Sequence, residues 1–299
     1  MPGAGHRLIE HVTPQRKRDQ MSALPIPNLT LTGGTEIPQL GLGVFLVEAG
    51  EAERVVSDAL EVGYRHIDTA RIYDNEAEVG RAIAASGIPR DELFVTTKLW
   101  NDDHARAGEA FEQSLDRLGL DRVDLYLVHW PLPKVEGSAL AAWHGLIEIA
   151  ESGRASAIGV SNFEIEHLQQ VIDATGAVPA VNQIELHPLH QRRELSAFCA
   201  EQGIAIEAWG PLAQGKTDLF ERPEVLTAAE RHGKTPAQVV LRWHLQQGRI
   251  IFPKTGRRER MVENADLFDF ELSGTEIEAI DSLEVGTNFG PDPRSFDVR

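Results

Sequence analysis

The chain has 299 residues, 42% of them hydrophobic and 25% charged, with a formal charge of −17 and one cysteine, Cys199. That length and apolar share allow a sizeable core in one large or two smaller domains. The acidity argues against a general nucleic-acid binder, whose polyanionic partner most of the surface would repel. A lone cysteine excludes an internal disulfide, and no apolar run reaches the roughly 18 residues that a membrane span needs. Residues 1–20 lack the apolar centre of a secretory signal. The expectation is therefore a cytoplasmic protein with no membrane or nucleic-acid partner, and a monomer, because no self-pairing stripe is visible.

Residues 1–27 carry scattered glycine, proline and charge without periodicity and read as a disordered tail ahead of a single domain over 28–299. Two short alternating runs, 28–32 and 36–40, flank Gly33-Gly34 and predict a β-hairpin, a small lid and not a domain. Thereafter one arrangement recurs: an amphipathic helix pattern, a glycine, then a short apolar run. The patterns over 51–62, 104–118 and 139–152 align Val55, Val56 and Leu60, then Phe111, Leu115 and Leu118, then Trp143, Leu146 and Ala150. Cys199 falls with Leu195 and Phe198 on such an apolar side and reads as core. Gly63, Gly87, Gly119, Gly153, Gly176, Gly203 and Gly248 each fit the position where a left-handed residue ends a helix.

Seven such junctions connect eight strands, near 41–44, 65–67, 93–98, 123–128, 156–160, 180–184, 204–208 and 250–252. Several are almost wholly apolar, as parallel strands covered on both faces are. The eightfold alternation predicts an α/β fold, a closed (β/α)8 TIM barrel with the hairpin at its bottom. A doubly wound open sheet competes, but Gly41-Leu42-Gly43-Val44 is not followed by the helix that its phosphate loop requires.

In such a barrel the active site lies at the C-terminal ends of the strands. The second, third and fourth runs end on Asp68, Lys98 and His129, and Tyr73 follows Asp68 in the next loop. Asn75 and Glu76 read as the start of the helix that holds Tyr73. A metal site is short of ligands, for Asp68 and His129 are one imidazole and one carboxylate away from a usual set. The chemistry that fits is protonation of a carbonyl oxygen as it becomes an alkoxide. A free tyrosine has a pKa of about 10, and an ammonium at Lys98 should lower it. Asp68 would keep Lys98 charged and oriented, and His129 would donate a hydrogen bond to the substrate oxygen.

From residue 28 onward the chain resembles the aldo-keto reductases. The resemblance rests on the DTARIYDNE segment from Asp68 to Glu76, on Thr97-Lys98-Leu99-Trp100, Val128-His129-Trp130-Pro131 and Gly159-Val160-Ser161-Asn162-Phe163. It extends through Asn182-Gln183 and through Pro253-Lys254-Thr255 leading to Arg260, Glu263 and Asn264. It implies an NADPH-dependent oxidoreductase on a (β/α)8 barrel, with Asp68, Tyr73, Lys98 and His129 as catalytic tetrad and Tyr73 as general acid for reduction. It further implies that Ser161, Asn162 and Gln183 bind the nicotinamide carboxamide, offering both donors and acceptors. Trp209 stands where the family commonly stacks a tyrosine on the nicotinamide. Gly210, Leu212, Gln214 and Gly215 would line the pyrophosphate path. Lys254, Thr255, Arg260 and Asn264 would take the 2′-phosphate end. Four cations stand within seven residues there, Lys254, Arg257, Arg258 and Arg260, which suits a local phosphate site on an acidic protein.

Two departures bear on the substrate. Phe45 stands where the family frequently has a tryptophan, and the loop 130–138 is short compared with the vertebrate steroid- and sugar-reducing members. The chain looks closer to the bacterial diketogluconate-reductase-like branch, with Phe45, Trp100, Trp130 and Phe296 forming an apolar cup. The expected activity is reduction of small aldehydes, diketones or keto sugars by NADPH. An NADPH-binding sensor with little turnover is the alternative from another class.

Overall fold

The computed structural model describes residues 23–298. β1 (Asn28–Thr30) and β2 (Glu36–Pro38) pair antiparallel as the hairpin. Eight strands follow: β3 (Leu42–Gly43), β4 (His66–Asp68), β5 (Phe94–Leu99), β6 (Val123–Val128), β7 (Ala155–Ser161), β8 (Val181–Glu185), β9 (Ala205–Trp209) and β10 (Ile250–Ile251). They hydrogen-bond side by side in strict chain order, every pair parallel. A parallel bridge between Leu40 and Ile251 joins the two ends of the series. In it Gly41 N–H donates to Ile251 O at 3.0 Å and Ile251 N–H donates to Gln39 O at 2.9 Å. The sheet closes, which excludes the doubly wound alternative, whose strand order reverses at a switch point.

Strands are linked through the helices Ala49–Val62, Glu76–Ser86, Ala107–Leu118, Ser138–Glu151, Ile165–Thr175, Arg193–Gln202 and the pair Pro223–His232 and Pro236–Gln246. All seven glycines read as helix terminators have positive φ, between 63° and 115°. The apolar stripes read from the sequence are the buried ones, among them Val55, Val56 and Leu60 in the first helix and Phe111, Leu115 and Leu118 in the third. Cys199 is fully buried. The expected 104–118 helix is divided, because residues 101–106 form a 3-10 turn before the α-helix begins at Ala107.

Inside the barrel, alternate residues build layers. The lowest layer is apolar: Phe94, Leu125, Val181, Ile250 and Phe252 pack in one cluster with Leu31 and Ile37 of the hairpin region. Thr32 Oγ1 donates to Gly203 O at 2.6 Å and Thr35 Oγ1 to Ser156 O at 3.2 Å, both near strand starts. The hairpin therefore plugs the N-terminal end and leaves the other end open for chemistry. Above this layer His66 is fully buried between the rings of Phe94 and Phe252, with Nε2 against Thr96 Oγ1 at 3.2 Å. Burial lowers its pKa to about 3, so it packs as a neutral ring.

Residues 1–22 lie outside the described residues, and with them most of the expected tail. Residues 23–27 depart from that expectation: Leu24 N–H donates to Gly63 O at 3.1 Å, and Leu24 and Ile26 pack against the core. Leu24 and Ile26 alternate with Pro25 and Pro27, which carry no backbone N–H for a sheet ladder, and two residues are too short a signal to register as structure.

Gly80 sets how closely the helices Glu76–Ser86 and Ala107–Leu118 approach, since a Cβ at that position would come within 2.1 Å of Leu118 O. Backbone on the far side cannot rotate away. Gly80→Ala should therefore cost about 1–3 kcal/mol in chemical denaturation, by overpacking.

Candidate active site

Asp68 ends β4, Lys98 is the penultimate residue of β5 and His129 follows the last residue of β6. Tyr73 ends the 3-10 turn Arg71–Tyr73. The four meet at the C-terminal rim. Lys98 Nζ donates to Asp68 Oδ1 at 2.7 Å, to Thr69 O at 2.9 Å and to the Tyr73 hydroxyl at 3.2 Å. Its three hydrogens thus have three acceptors. Burial works against the Lys98 charge, but Asp68 and Tyr73 outweigh it and hold its pKa above the ordinary value.

Tyr73 differs from the expectation. Burial, with the Asp68 charge adding to it, raises its pKa by more than the charge and hydrogen bond of Lys98 lower it, so the net direction is upward. The sequence shows the ammonium but not the desolvation that accompanies it. The phenol is consequently a proton carrier at neutral pH, the state that a general acid needs. His129 lies edge-on to Tyr73 and Trp100, at ring separations of 5.8 and 5.2 Å. Burial, with Lys98 and His104 beside it, depresses its pKa well below the usual imidazole value. It is a neutral ring.

The loop that carries Tyr73 is tied from behind. Asn75 Nδ2 donates to Val44 O and Val47 O, both at 3.1 Å, and its Oδ1 accepts from Thr69 Oγ1 at 3.0 Å. Asn75 occupies the N-cap position without a side-chain capping bond, so its role is to join two loops. Glu76 is buried and accepts from Thr97 Oγ1 at 2.5 Å and Arg117 Nε at 2.7 Å. It fastens the helix to the barrel wall in addition to opening it.

The residues implied for the carboxamide are adjacent but differently committed than expected. Asn162 Nδ2 donates to His129 O and Ser161 Oγ, both at 3.0 Å, and Ser161 Oγ donates to Gln183 O at 2.8 Å. Gln183 Nε2 donates to Asp68 Oδ2 at 2.9 Å and Glu207 Oε2 at 2.8 Å. Trp209 Nε1 donates to Asn162 Oδ1 at 2.9 Å. The side-chain hydrogens of Ser161, Asn162 and Gln183 are all engaged within the protein. What these three residues retain is acceptor capacity, which suits the NH2 of a carboxamide.

Beyond Trp209, Gly210, Gln214 and Gly215 have φ of 61°, 55° and 64°, while Leu212 packs partly against the core. Thr255 is buried and its Oγ1 accepts from Arg257 N–H at 3.1 Å; Lys254 Nζ donates to Leu46 O at 3.2 Å. Arg260 lies exposed in the first turn of the helix Arg258–Ala265, and Asn264 is buried in the same helix. Arg258 pairs with Glu61 at 2.9 Å. Among the described residues Lys254, Arg257 and Arg260 make no ion pair, so three of the four cations remain for an anion. These three, the helix N-terminus and the half-buried Trp209 face fit a dinucleotide with a 2′-phosphate.

Around Tyr73 and His129 the four aromatic residues do converge. The Phe45 ring is 5.1 Å from that of Tyr73, and Trp130 lies 4.2 Å from Phe296 and stacks at 13° to His129. Phe45 is 53% exposed, which leaves a ring free to cover a ligand.

Several participants escaped the sequence reading. Glu207 is fully buried beneath Gln183. Its signal was present, since it shares strand parity with Trp209 in an otherwise apolar run. Glu185 accepts the backbone N–H groups of Phe289 and Gly290 at 2.7 and 2.9 Å. Burial pushes its pKa up, but His187 and these two groups outweigh that and hold it below the usual range. Glu164 joins Arg192 at 2.5 Å and Arg294 at 2.9 Å. These two acids fix the C-terminal segment over a cavity of about 510 Å³ beside Asn162 and Trp209. Contacts to the C-terminal segment that span 104 to 130 residues leave no local pattern.

The chain belongs to the aldo/keto reductase family, whose model matches residues 39–285. An aldo-keto reductase of Mycolicibacterium smegmatis is 53% identical over 272 residues, 90% of this chain and 98% of its own. The methylglyoxal reductase DkgA of Yersinia pestis is 51% identical over 270 residues, 90% of this chain and 97% of its own. Among solved structures, a Gox0644 variant in complex with NADPH superposes with a TM-score of 0.86 at 42% identity, covering 91% of this chain and 98% of its own.

His129 is expected to remain uncharged throughout the neutral range. Its imidazole ¹⁵N shifts, followed by NMR from about pH 5 to about pH 8, should stay flat where an ordinary histidine titrates near 6.5.

Proposed function

We propose that Tyr73 is the general acid of a carbonyl reduction, held by Lys98 and Asp68 and assisted by His129. The protein is an NADPH-dependent oxidoreductase that converts aldehydes and ketones to alcohols. NADPH, when bound, supplies the hydride. The residues of the chain bind, orient and protonate. Acceptor oxygens of Asn162 and Gln183 hold the carboxamide NH2, and the Trp209 indole offers a flat face to the ring. Lys254, Arg257 and Arg260 receive the 2′-phosphate. The substrate carbonyl lies between Tyr73 and His129. Its oxygen takes a hydrogen bond from the neutral imidazole and the proton of the Tyr73 hydroxyl as charge develops.

The observation that carries this reading is the Lys98 Nζ contact to both Asp68 Oδ1 and the Tyr73 hydroxyl in a fully buried position. As the phenol loses its proton, the ammonium 3.2 Å away stabilises the phenolate. A sensor without turnover would gain nothing from that contact. The rings of Phe45, Trp100, Trp130 and Phe296 around Tyr73 and His129 offer aromatic walls to a carbonyl compound. Together with relatives named methylglyoxal reductase, this points to 2-oxoaldehydes and similar dicarbonyls as substrates. We place the protein in the cytoplasm as a monomer. None of the helices among the described residues is long and apolar enough to cross a membrane.

Loss of NADPH absorbance with a panel of aldehydes, diketones and keto sugars tests the activity. Tyr73→Phe should lower kcat by about 10²–10⁴-fold while NADPH still binds; a variant with full activity would sink the assigned role. Arg260→Ala should weaken NADPH by about tenfold, the order of one lost charge-assisted contact, and leave NADH unchanged. Equal weakening of both cofactors by isothermal titration would remove Arg260 from the 2′-phosphate site.

A further inference from the structure

A second acid lies beneath the rim, unused by the chemistry above. Glu207 is fully buried in β9, in register with Gln183 on β8 and Ile250 on β10. The Gln183 amide nitrogen has two hydrogens and meets two carboxyl acceptors, Asp68 Oδ2 and Glu207 Oε2. Turning the amide over would aim its oxygen at the Asp68 carboxylate, which can only accept, so Asp68 fixes its orientation and Glu207 Oε2 takes the second hydrogen. Lys98 is the cation of this layer, and its three hydrogens go to Asp68, Thr69 and Tyr73. Glu207 makes no ion pair, and its Oε1 has no hydrogen-bond partner among the described residues. As a carboxylate it would be a buried, half-satisfied charge beside Asp68. As a carboxylic acid it avoids that cost.

We propose that Glu207 is a positioning residue for the reduction: as a neutral acid it accepts one hydrogen of the Gln183 amide and, with Asp68 on the other, keeps the amide oxygen toward the nicotinamide carboxamide. Once ionised, it places a negative charge beneath the ring that favours the oxidised, cationic cofactor over the reduced one. The inference rests on the cofactor placement proposed above. The charged groups that face Glu207 are Asp68 from β4 and Lys98 from β5, while β8 and β10 present the neutral Gln183 and Ile250. Burial and then Asp68 push its pKa up to about 8, against the opposing pull of Gln183 and Lys98.

The test is equilibrium binding of NADPH and of NADP⁺ to the full-length protein, by intrinsic fluorescence, between about pH 6 and about pH 10. Both carry the 2′-phosphate, so its ionisation cancels in the ratio of their dissociation constants. In the wild type, Kd(NADPH)/Kd(NADP⁺) should rise by roughly fivefold through the window near pH 8, the order expected of one charge felt across several ångströms of protein. Glu207→Gln, isosteric but unable to ionise, should give a flat ratio. Tyr73→Phe should keep the rise, because that phenol titrates higher.

Binding of both cofactors with a flat wild-type ratio overturns the inference alone, as does a wild-type rise in Glu207→Gln. Absence of NADPH binding at every pH overturns the cofactor assignment and this inference with it. A second readout needs no ligand. The fold holds on Glu207 a proton that the unfolded chain releases near 4.5, so the wild type loses stability as pH rises from there to about 8. The denaturation midpoint of Glu207→Gln should gain on that of the wild type across this window and level off above it. A constant difference would show that Glu207 is charged in the fold, and would overturn the inference.

Discussion

The Lys98 ammonium has no solvent exposure at all, and much of the active-site geometry follows from keeping it charged there. An isolated ammonium in such a place costs several kcal/mol. Three acceptors replace its water, one from the end of β4, one from the backbone behind it and one from the turn that follows. To deliver the last two, the segment from Thr69 to Tyr73 must hold a single conformation. Asn75 enforces it through Val44 and Val47, and Glu76 through Thr97 and Arg117. The placement of one tyrosine is thus maintained by residues that tie its loop from behind.

The barrel interior divides the labour along its axis. Phe94, Phe252, Leu125 and the hairpin's Ile37 fill the lower end without a polar group. Above them His66, held neutral, separates that oil-like layer from the charged one. Asp68, Gln183 and Glu207 occupy the upper level with Lys98, three polar side chains and one cation. Electrostatic interactions there act in a medium that screens them poorly, so the balance of charges and protons matters more than their number.

Much of this was legible in the sequence, for identifiable reasons. Helix terminators were visible because glycine is favoured where φ is positive. Strand ends were visible because a buried parallel strand is apolar until it reaches the rim, so Asp68, Lys98 and His129 stood out against their own runs. What stayed hidden depends on depth or on distance along the chain. The ammonium beside Tyr73 suggested a lowered pKa, but burial acts on the phenol more strongly, and burial is not written in the spacing. The amide groups of Asn162 and Gln183 were expected to offer donors, yet their hydrogens are spent on His129, Ser161, Asp68 and Glu207. Arg258 resembled its neighbours until the helix brought Glu61 to it.

Gly290 has no side chain because Trp209 and Glu185 occupy the space: a Cβ there would stand 2.4 Å from the indole and 3.0 Å from the carboxylate. The same chain segment, six residues further on, brings Phe296 against Trp130. One tight backbone contact therefore joins the aromatic platform at one side of the barrel mouth to the aromatic wall at the other. With the roles proposed for Trp209 and Trp130, cofactor grip and substrate shape would not be independent variables, and drift at position 290 would reset both at once.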